Sequence, residues 1–112
     1  MTILLLNKDK GETSFSSIKQ AQKILNFKKA GHAGTLDPLA TGLLPIFFNQ
    51  STKFIQYFNT ESKEYIADFI IGLSSNTEDI TGYLSYELNS SEPTQDELKM
   101  AIDEFYGKSL QI

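Results

Sequence analysis

A glycine-rich loop near position 37 holds the side chains that are best suited to chemistry. Asp37 is followed by Pro38, which disfavours helical backbone at the residue before it and so gives the carboxylate a defined direction. Gly31, Gly34 and Gly42 carry no side chain, so the backbone of a ligand can come close to the loop. A carboxylate in such a loop is a candidate catalytic group, although Asp37 is equally suited to a turn in which it bonds its own backbone.

Other kinds of site find little support in the residue types present. The loop glycines are not followed directly by the Gly-Lys-Ser/Thr that a Walker-type phosphate loop needs, and no serine lies in a Gly-x-Ser-x-Gly nucleophile elbow. The chain has no cysteine and a single histidine, His32, so a metal site made of protein ligands is not expected. Taken alone, His32 is more typical of a packed or surface histidine than of a functional one.

The charged residues are distributed unevenly along the 112 residues. Residues 1–63 hold eight lysines and four acids, whereas residues 64–112 hold two lysines and ten acids. A polyanion such as RNA could therefore approach the first half, although ordinary solvated lysines on helix surfaces explain the same pattern. The chain contains no arginine, so no bidentate guanidinium contact to phosphate is available.

Apolar periodicity in the first half predicts strands and a helix. Residues 2–7 are predicted to form a buried strand, and residues 10–14 a turn in which Ser14 caps a following helix. The face that this helix is expected to bury consists of Phe15, Ile18, Ala21, Ile24 and Leu25. Residues 39–48 run into a second strand, in which Pro45 disfavours a regular central position.

The second half is predicted to add two strands between two helices, which gives an α+β fold. Residues 51–58 are predicted to form a short helix, and the patterns at 65–71 and 83–88 predict strands. The inward residues of the short helix are predicted to be Phe54, Ile55 and Phe58. Thr94 and Glu97 form a capping box at the start of a last helix. The residues of that helix predicted to lie in the core are Leu98, Ala101, Ile102, Phe105 and Tyr106.

Composition places the chain among globular proteins. Hydrophobic residues make up 40% of it, which argues against disorder. The apolar run Ile3–Leu6 is too short for a signal peptide or a membrane span. A soluble, cytoplasmic protein is therefore expected.

The run from Gly31 to Pro45, Gly-His-Ala-Gly-Thr-Leu-Asp-Pro-Leu-Ala-Thr-Gly-Leu-Leu-Pro, resembles the signature of the tRNA pseudouridine-55 synthase family. Residues 8–14 resemble the Lys-Pro-x-Gly-x-Thr-Ser opening of that family, with Asp9 where proline is usual. Further similar segments are Thr52-Lys53-Phe54, Lys63-Glu64-Tyr65 and Ser75-Asn76-Thr77-Glu78-Asp79. The resemblance therefore extends over most of the chain.

This resemblance implies an enzyme that converts a uridine in the T-loop of tRNA to pseudouridine without cofactor or metal. Asp37 matches the essential aspartate, and Tyr65 matches the tyrosine that stacks on the target uracil. His32 matches the histidine that takes the place of the flipped nucleotides. The other positions expected to contact the substrate are Lys8, Gly34, Thr35 and Lys63.

The resemblance also implies that residues 1–112 are the N-terminal part of the catalytic domain, with the C-terminal remainder absent. The fold it implies is a mixed, mostly antiparallel sheet flanked by helices. The full-length parent is expected to act as a monomer on the T-arm of tRNA. The alternatives that stay open are a non-catalytic tRNA-binding or tRNA-folding module, a guide-RNA-dependent synthase acting on ribosomal RNA, and an inactive fragment.

Overall fold

The computed structural model describes residues 1–58, 62–86, 91–108 and 110. The chain divides into two compact units, residues 1–64 and residues 65–112. The first unit contains β1 (Thr2–Lys8), α1 (Ser14–Ile24), β2 (Ala30–His32), β3 (Gly42–Phe48) and a 3-10 helix (Asn49–Tyr57). The second unit contains β4 (Leu73–Ser75), β5 (Leu84–Tyr86) and α2 (Gln95–Asp103). The predicted α+β class with antiparallel sheet is confirmed.

The first unit is built on a three-stranded sheet with the order β1-β3-β2. Along β1, Thr2 pairs with Phe48 and Lys8 with Gly42. Because β1 and β2 both run antiparallel to β3, they are parallel to each other, and α1 connects them as the crossover of a split β-α-β unit. The C-terminal ends of β1 and β2 and the start of β3 therefore meet at one end of the sheet, where the loop 33–41 lies.

The hydrophobic core lies between α1 and one face of this sheet. Its buried members are Ile18, Ala21, Leu44, Ile46 and Phe48. The ring of Phe27 stacks on Phe48 with centroids 4.5 Å apart. On the opposite face of β3, Phe47 is also buried and meets Phe58 edge-on at 5.0 Å.

The central strand contains Pro45, so the expectation that proline keeps this segment from a central position is wrong. Pro45 pairs with Leu5 of β1, and its carbonyl accepts the N–H of Ala33 at 3.2 Å. The N–H and C=O of one residue in an antiparallel strand point to the same side, so the missing N–H would face β2. β2 ends at His32, so the bond that Pro45 cannot donate would lie opposite Ala33, just beyond the end of the β2–β3 pairing.

The helix α1 forms where it is predicted, but its cap and its buried face differ from the prediction. Thr13 is the N-cap, and its hydroxyl accepts the N–H of Ser16 at 3.0 Å. The residues that α1 buries are Ser14, Ser17, Ile18 and Ala21. Phe15 and Ile24 are exposed, at 68% and 79% of their surface, because the small serines let that side of the helix approach the loop 33–41 closely.

The segment after β3 forms a helix of the tighter 3-10 kind. Ser51 is buried and accepts the N–H of Thr2 at 2.9 Å, which ties the helix to the start of β1. Ile55 is half-buried, and a Cβ added at Gly31 would lie 2.8 Å from its Cδ1. Phe54 and Phe58 stay exposed over nearly half their surface, so the inward placement is confirmed for Ile55 and is incomplete for the two phenylalanines.

In the second unit, residues 65–71 do not form the strand that their alternation predicts. Within the described residues, the only strand pair of this unit is the antiparallel one between β4 and β5. The predicted strand at 83–88 is found at Leu84–Tyr86, and residues 87 and 88 lie outside the described residues. Alternation selects a face for burial, but a strand forms only where a neighbour completes its hydrogen bonds.

The helix α2 begins as predicted and buries less than predicted. The capping box is present, with the Thr94 N–H and hydroxyl both 2.8 Å from a Glu97 carboxylate oxygen. Leu98 is half-buried. The other four residues assigned to the core are exposed, namely Ala101, Ile102, Phe105 and Tyr106. That assignment is wrong for this chain, and the helix ends at Asp103, before both aromatic residues.

None of the helices in the described residues is long and apolar enough to span a bilayer.

The turn between β4 and β5 is organised by one carboxylate. Oδ1 of Asp79 accepts the N–H of Thr81 and the hydroxyl of Thr77, each at 2.8 Å, and the Thr81 hydroxyl as well. The Thr81 hydroxyl, followed by the Thr81 N–H and the Thr77 hydroxyl, holds the pKa of Asp79 below its ordinary value. The ionised form therefore stabilises the turn above the ordinary aspartate pKa, and this contribution is lost as the pH falls through the folded pKa.

Two adjacent leucines of β3 test the position of the core. Leu44 is fully buried, whereas Leu43 is 62% exposed. We expect Leu44→Ala to lower the free energy of unfolding by about 2–5 kcal/mol through the lost contacts and the cavity. Leu43→Ala is the matched control and should cost well under about 1 kcal/mol. Urea denaturation followed by circular dichroism measures both, and equal losses would contradict the described sheet orientation.

The two threonines beside Asp79 should affect its pKa unequally. Thr81→Val removes the stronger hydroxyl donor and Thr77→Val the weaker one. Both variants should raise the Asp79 pKa toward its ordinary value, and Thr81→Val should raise it further. A titration of the side-chain carboxyl carbon by NMR measures the three values. The same pKa in all three proteins would show that the turn does not form in solution.

Candidate active site

The ammonium group of Lys8, at the end of β1, is held inside the protein. The side chain is 1% exposed, and Nζ donates to the carbonyls of Asp9 at 2.9 Å, Glu12 at 2.7 Å and Pro38 at 3.3 Å. An ammonium group has three donors, so these three carbonyls match its full capacity. Lys8 therefore joins the end of β1, the turn before α1 and the residue that follows Asp37.

Ser14 holds the loop on the other side of Asp37. It is buried in the first turn of α1, and its hydroxyl lies 3.0 Å from both the carbonyl and the N–H of Leu36. One hydroxyl thus donates to and accepts from the same residue. Ser14 therefore anchors the loop. The helix cap that the sequence assigns to Ser14 is supplied by Thr13.

Asp37 lies between these two anchored residues. Besides Lys8, the Pro38 carbonyl accepts the N–H of Gly11 at 2.7 Å, and the Asp37 carbonyl accepts the N–H of Ala40 at 3.0 Å. The Asp37 side chain itself is exposed. The backbone is therefore fixed on both sides, while the carboxylate faces outward and can act on a molecule that approaches from solvent.

His32 ends β2 and begins the loop. Its Nδ1 lies 2.6 Å from the carbonyl of Gly34. A carbonyl only accepts hydrogen bonds, so Nδ1 carries a proton and Nε2 is the ring nitrogen left for a contact with another molecule. The half-buried ring is therefore set in one orientation by the loop that also carries Asp37.

Gly34 is required by its backbone conformation and by a neighbour. Its φ is +86°, a region that favours glycine. A Cβ built there would lie 3.0 Å from Nζ of Lys63 and 3.3 Å from its Cε. The exposed Lys63 side chain therefore lies across Gly34, and its positive charge stands beside the loop that carries the aspartate.

Five of the residues selected from the sequence belong to this loop or lie against it. His32, Gly34 and Lys63 form one group, Thr35 is exposed beside them, and Asp37 follows. Lys8 is behind the loop, with its ammonium group directed to protein carbonyls. Tyr65 belongs to the second unit, where its ring is exposed. The substrate roles of these residues stay predictions.

Two residues of the opening turn have structural roles that the sequence does not reveal. Asp9 stands where the family has proline, and the structure uses its backbone carbonyl, a group that proline also has. Glu12 accepts the Ser17 hydroxyl at 2.9 Å and the Gln20 side-chain amide at 3.1 Å. In the sequence, the opening turn and the loop are linked only by the family resemblance, which includes Lys8, Ser14 and the loop motif.

The exposed lysines of the first unit favour the approach of an anionic ligand. Seven lysines of the first unit are exposed: Lys10, Lys19, Lys23, Lys28, Lys29, Lys53 and Lys63. The part of the chain that the structure describes holds no group of three His, Asp or Glu side chains placed to bind a metal ion.

Comparison with known proteins places the chain in a family. A family model described as "TruB family pseudouridylate synthase (N terminal domain)" matches residues 22–112. The chain therefore belongs to the TruB family of pseudouridylate synthases.

Curated relatives agree with this assignment. The tRNA pseudouridine synthase B of Bacillus pumilus (strain SAFR-032) is 41% identical over 111 residues, which are 98% of this chain and 36% of the relative. That of Syntrophus aciditrophicus (strain SB) is 43% identical over 98 residues, which are 88% of this chain and 30% of the relative. The chain thus spans about a third of the length of these relatives.

Among solved structures, the chain is similar to one described as "Structure of H/ACA RNP bound to a substrate RNA containing 2'-deoxyuridine". The sequence identity is 42%, the TM-score is 0.48, and the match covers 49% of this chain and 17% of that chain. An archaeal box H/ACA sRNP Nop10–Cbf5 complex is similar at 41% identity and a TM-score of 0.47, over 48% of this chain and 18% of that chain.

The Ser14 anchor can be tested by removing its hydroxyl. Ser14→Ala leaves the Leu36 N–H and carbonyl without this partner, which should cost about 1–3 kcal/mol. Hydrogen exchange at the Leu36 amide should accelerate by about tenfold or more. Ser16→Ala is the control, because the Ser16 hydroxyl bonds only within the helix cap. Unchanged Leu36 exchange in Ser14→Ala would contradict the proposed anchor.

Proposed function

We propose that this chain supplies the aspartate-bearing part of an enzyme that converts uridine to pseudouridine in the T-loop of tRNA, at position 55. The observation that carries the proposal is the placement of Asp37. Its carboxylate is exposed, while Leu36 and Pro38 on either side are hydrogen-bonded to Ser14 and Lys8. A fixed main chain with an outward carboxylate is the arrangement that attack on a bound nucleotide requires.

The proposed reaction is an isomerisation that needs no cofactor. The bond between N1 of uracil and C1′ of ribose breaks, the base rotates, and C5 bonds to C1′. The C5 hydrogen leaves as a proton, and N1 gains one, so atoms and electrons balance. An ionised Asp37 can act as nucleophile or base and can stabilise positive charge that develops on the sugar.

The residues around Asp37 are proposed to hold the RNA. His32 is oriented by its bond to the Gly34 carbonyl, which suits a ring that occupies the space of a flipped nucleotide. Lys63 beside Gly34 and the main chain at Gly34 and Thr35 are suited to the phosphate and sugar backbone. Tyr65 is proposed to stack on the target base, a contact worth about 1–3 kcal/mol in other proteins.

A second candidate function is tRNA binding without turnover by this chain alone. The exposed lysines of the first unit favour it, because seven cations on one unit attract an RNA backbone independently of sequence. This candidate predicts binding that weakens steeply with salt and is unaffected by Asp37→Asn. A T-loop hairpin and a mobility-shift assay at two salt concentrations measure both properties.

The catalytic proposal is tested by tritium release from a T-loop hairpin labelled at uridine C5. The chain is assayed alone and after co-expression with the part of the Bacillus pumilus relative outside its matched third. Asp37→Asn should lower release by about a hundredfold or more, because the amide can act neither as nucleophile nor as base. Asp68→Asn removes another exposed carboxylate and is the control.

The outcomes separate the candidates. Release that depends on Asp37 supports catalysis, by the chain alone or by the combined polypeptides. Binding in both preparations without any release would overturn the catalytic proposal and favour the RNA-binding one. Equal release by wild type and Asp37→Asn would show that another group does the chemistry.

A further inference from the structure

The turn of residues 9–12 carries one of the two anchors of Asp37. The Pro38 carbonyl accepts the N–H of Gly11 at 2.7 Å and Nζ of Lys8 at 3.3 Å. Nζ of Lys8 also bonds the carbonyls at both ends of the turn. The start of the turn is fixed by the sheet, because Lys8 is the last residue of β1 that pairs with β3. The position of Pro38 therefore depends on what holds the rest of the turn.

The bend at Gly11 is not held by packing around that residue. Its φ is +89°, in the region that favours glycine, and glycine has more backbone freedom than any other residue. A Cβ built there would meet no atom within 4 Å beyond its chain neighbours. A neighbouring side chain must therefore restrain the turn if the Gly11 N–H is to stay on the Pro38 carbonyl.

The side chain of Glu12 supplies this restraint. Its Oε2 accepts the hydroxyl of Ser17 at 2.9 Å, and its Oε1 accepts the side-chain amide of Gln20 at 3.1 Å. Both carboxylate oxygens thus bond to α1, and Ser17 is buried. Hydrogen bonds to a carboxylate are stronger than those between neutral groups. Glu12 therefore fastens the end of the turn to the helix.

Both flanks of Asp37 are in this way tied to one face of α1. Ser14 bonds Leu36 directly. Ser17, one turn further along the same buried face, bonds Glu12. The helix is thus a common support for the residues before and after the aspartate, and Glu12 connects it to the later one.

We propose that Glu12 is a positioning residue for the reaction of Asp37. Its carboxylate holds the turn against α1, the turn holds the Pro38 carbonyl, and Pro38 sets the direction of the adjacent aspartate. The described hydrogen bonds of the Glu12 side chain all go to α1, so it acts on Asp37 only through the turn. Glu12 stands at an unspecified position of the opening motif, so the family resemblance gives it no role. The reactive role of Asp37 is taken from the proposed function, whereas the connection from Glu12 to Pro38 is measurable without catalysis.

Amide hydrogen exchange of the 112-residue chain tests this connection. Glu12→Ala removes both bonds to α1 and keeps the backbone carbonyl. We expect exchange at the Gly11 amide, which is bonded to the Pro38 carbonyl, to accelerate by about tenfold or more. Exchange at the Leu36 amide should change by less than about twofold, because Ser14 holds it independently.

Asp9→Ala is the matched control. It removes an exposed carboxylate of the same turn and keeps the backbone carbonyl that is bonded, so Gly11 exchange should stay at the wild-type rate. Gln20→Ala removes one of the two bonds to Glu12 and should give a smaller acceleration than Glu12→Ala. The double variant should exchange no faster than Glu12→Ala, because the Gln20 amide then has no carboxylate to hold.

The kinetics of tritium release separate a positioning role from a structural one. In the preparation that releases tritium, Glu12→Ala should lower kcat by about tenfold or more, because a misaligned carboxylate reacts slowly. It should leave KM within about twofold, because the change keeps His32, Lys63 and the exposed lysines in place. Glu12→Gln retains one acceptor oxygen and should regain part of the lost kcat. Rates are compared at a temperature at which circular dichroism shows every variant to be folded.

Several results would overturn the inference. One is Gly11 exchange that is unchanged in Glu12→Ala or equally accelerated in Asp9→Ala. Another is equal acceleration at Gly11 and Leu36, which would show a general loosening of the unit. Faster Gly11 exchange with an unchanged kcat would confine Glu12 to a structural role. No tritium release from the wild type would overturn the proposed function itself, so the two failures are distinguishable.

Discussion

An ammonium group is buried favourably only when hydrogen-bond acceptors replace the water that it loses. Lys8 meets this condition with the carbonyls of Asp9, Glu12 and Pro38. These carbonyls belong to the turn after β1, the entry to α1 and the loop after β2, so the cation requires all three segments to converge. If the loop moved away, the buried ammonium would lose one of its three acceptors. The position of the loop is thus coupled to the end of the first strand.

The same arrangement separates the parts of the loop that are fixed from the part that is free. Ser14 fixes Leu36, and Lys8 with Gly11 fixes Pro38. The side chain between them makes none of these contacts and is exposed. Rigidity of the main chain lowers the entropy lost when a carboxylate is aligned with a substrate, and exposure keeps the group reachable. A buried carboxylate with the same anchors would be held in place but could not contact a molecule in solvent.

The sequence predicted the features that depend on near neighbours. The first strand, α1, the capping box of Thr94 and Glu97, and the loop around Asp37 follow from local patterns and from motif resemblance. Burial of Lys8 and the pairing of Ser14 with Leu36 could not be predicted, because they join residues that lie 30 and 22 positions apart. The prediction for Pro45 was wrong for the same reason. The absent N–H of Pro45 is tolerated because β2 ends at His32, one residue before the position opposite Pro45.

Apolar periodicity indicates which face of an element is to be buried and leaves open what buries it. In α1, Ile24 has the right spacing for the core but faces a groove beside β1. The groove runs toward Lys8, where β1 ends and the loop with Asp37 is anchored.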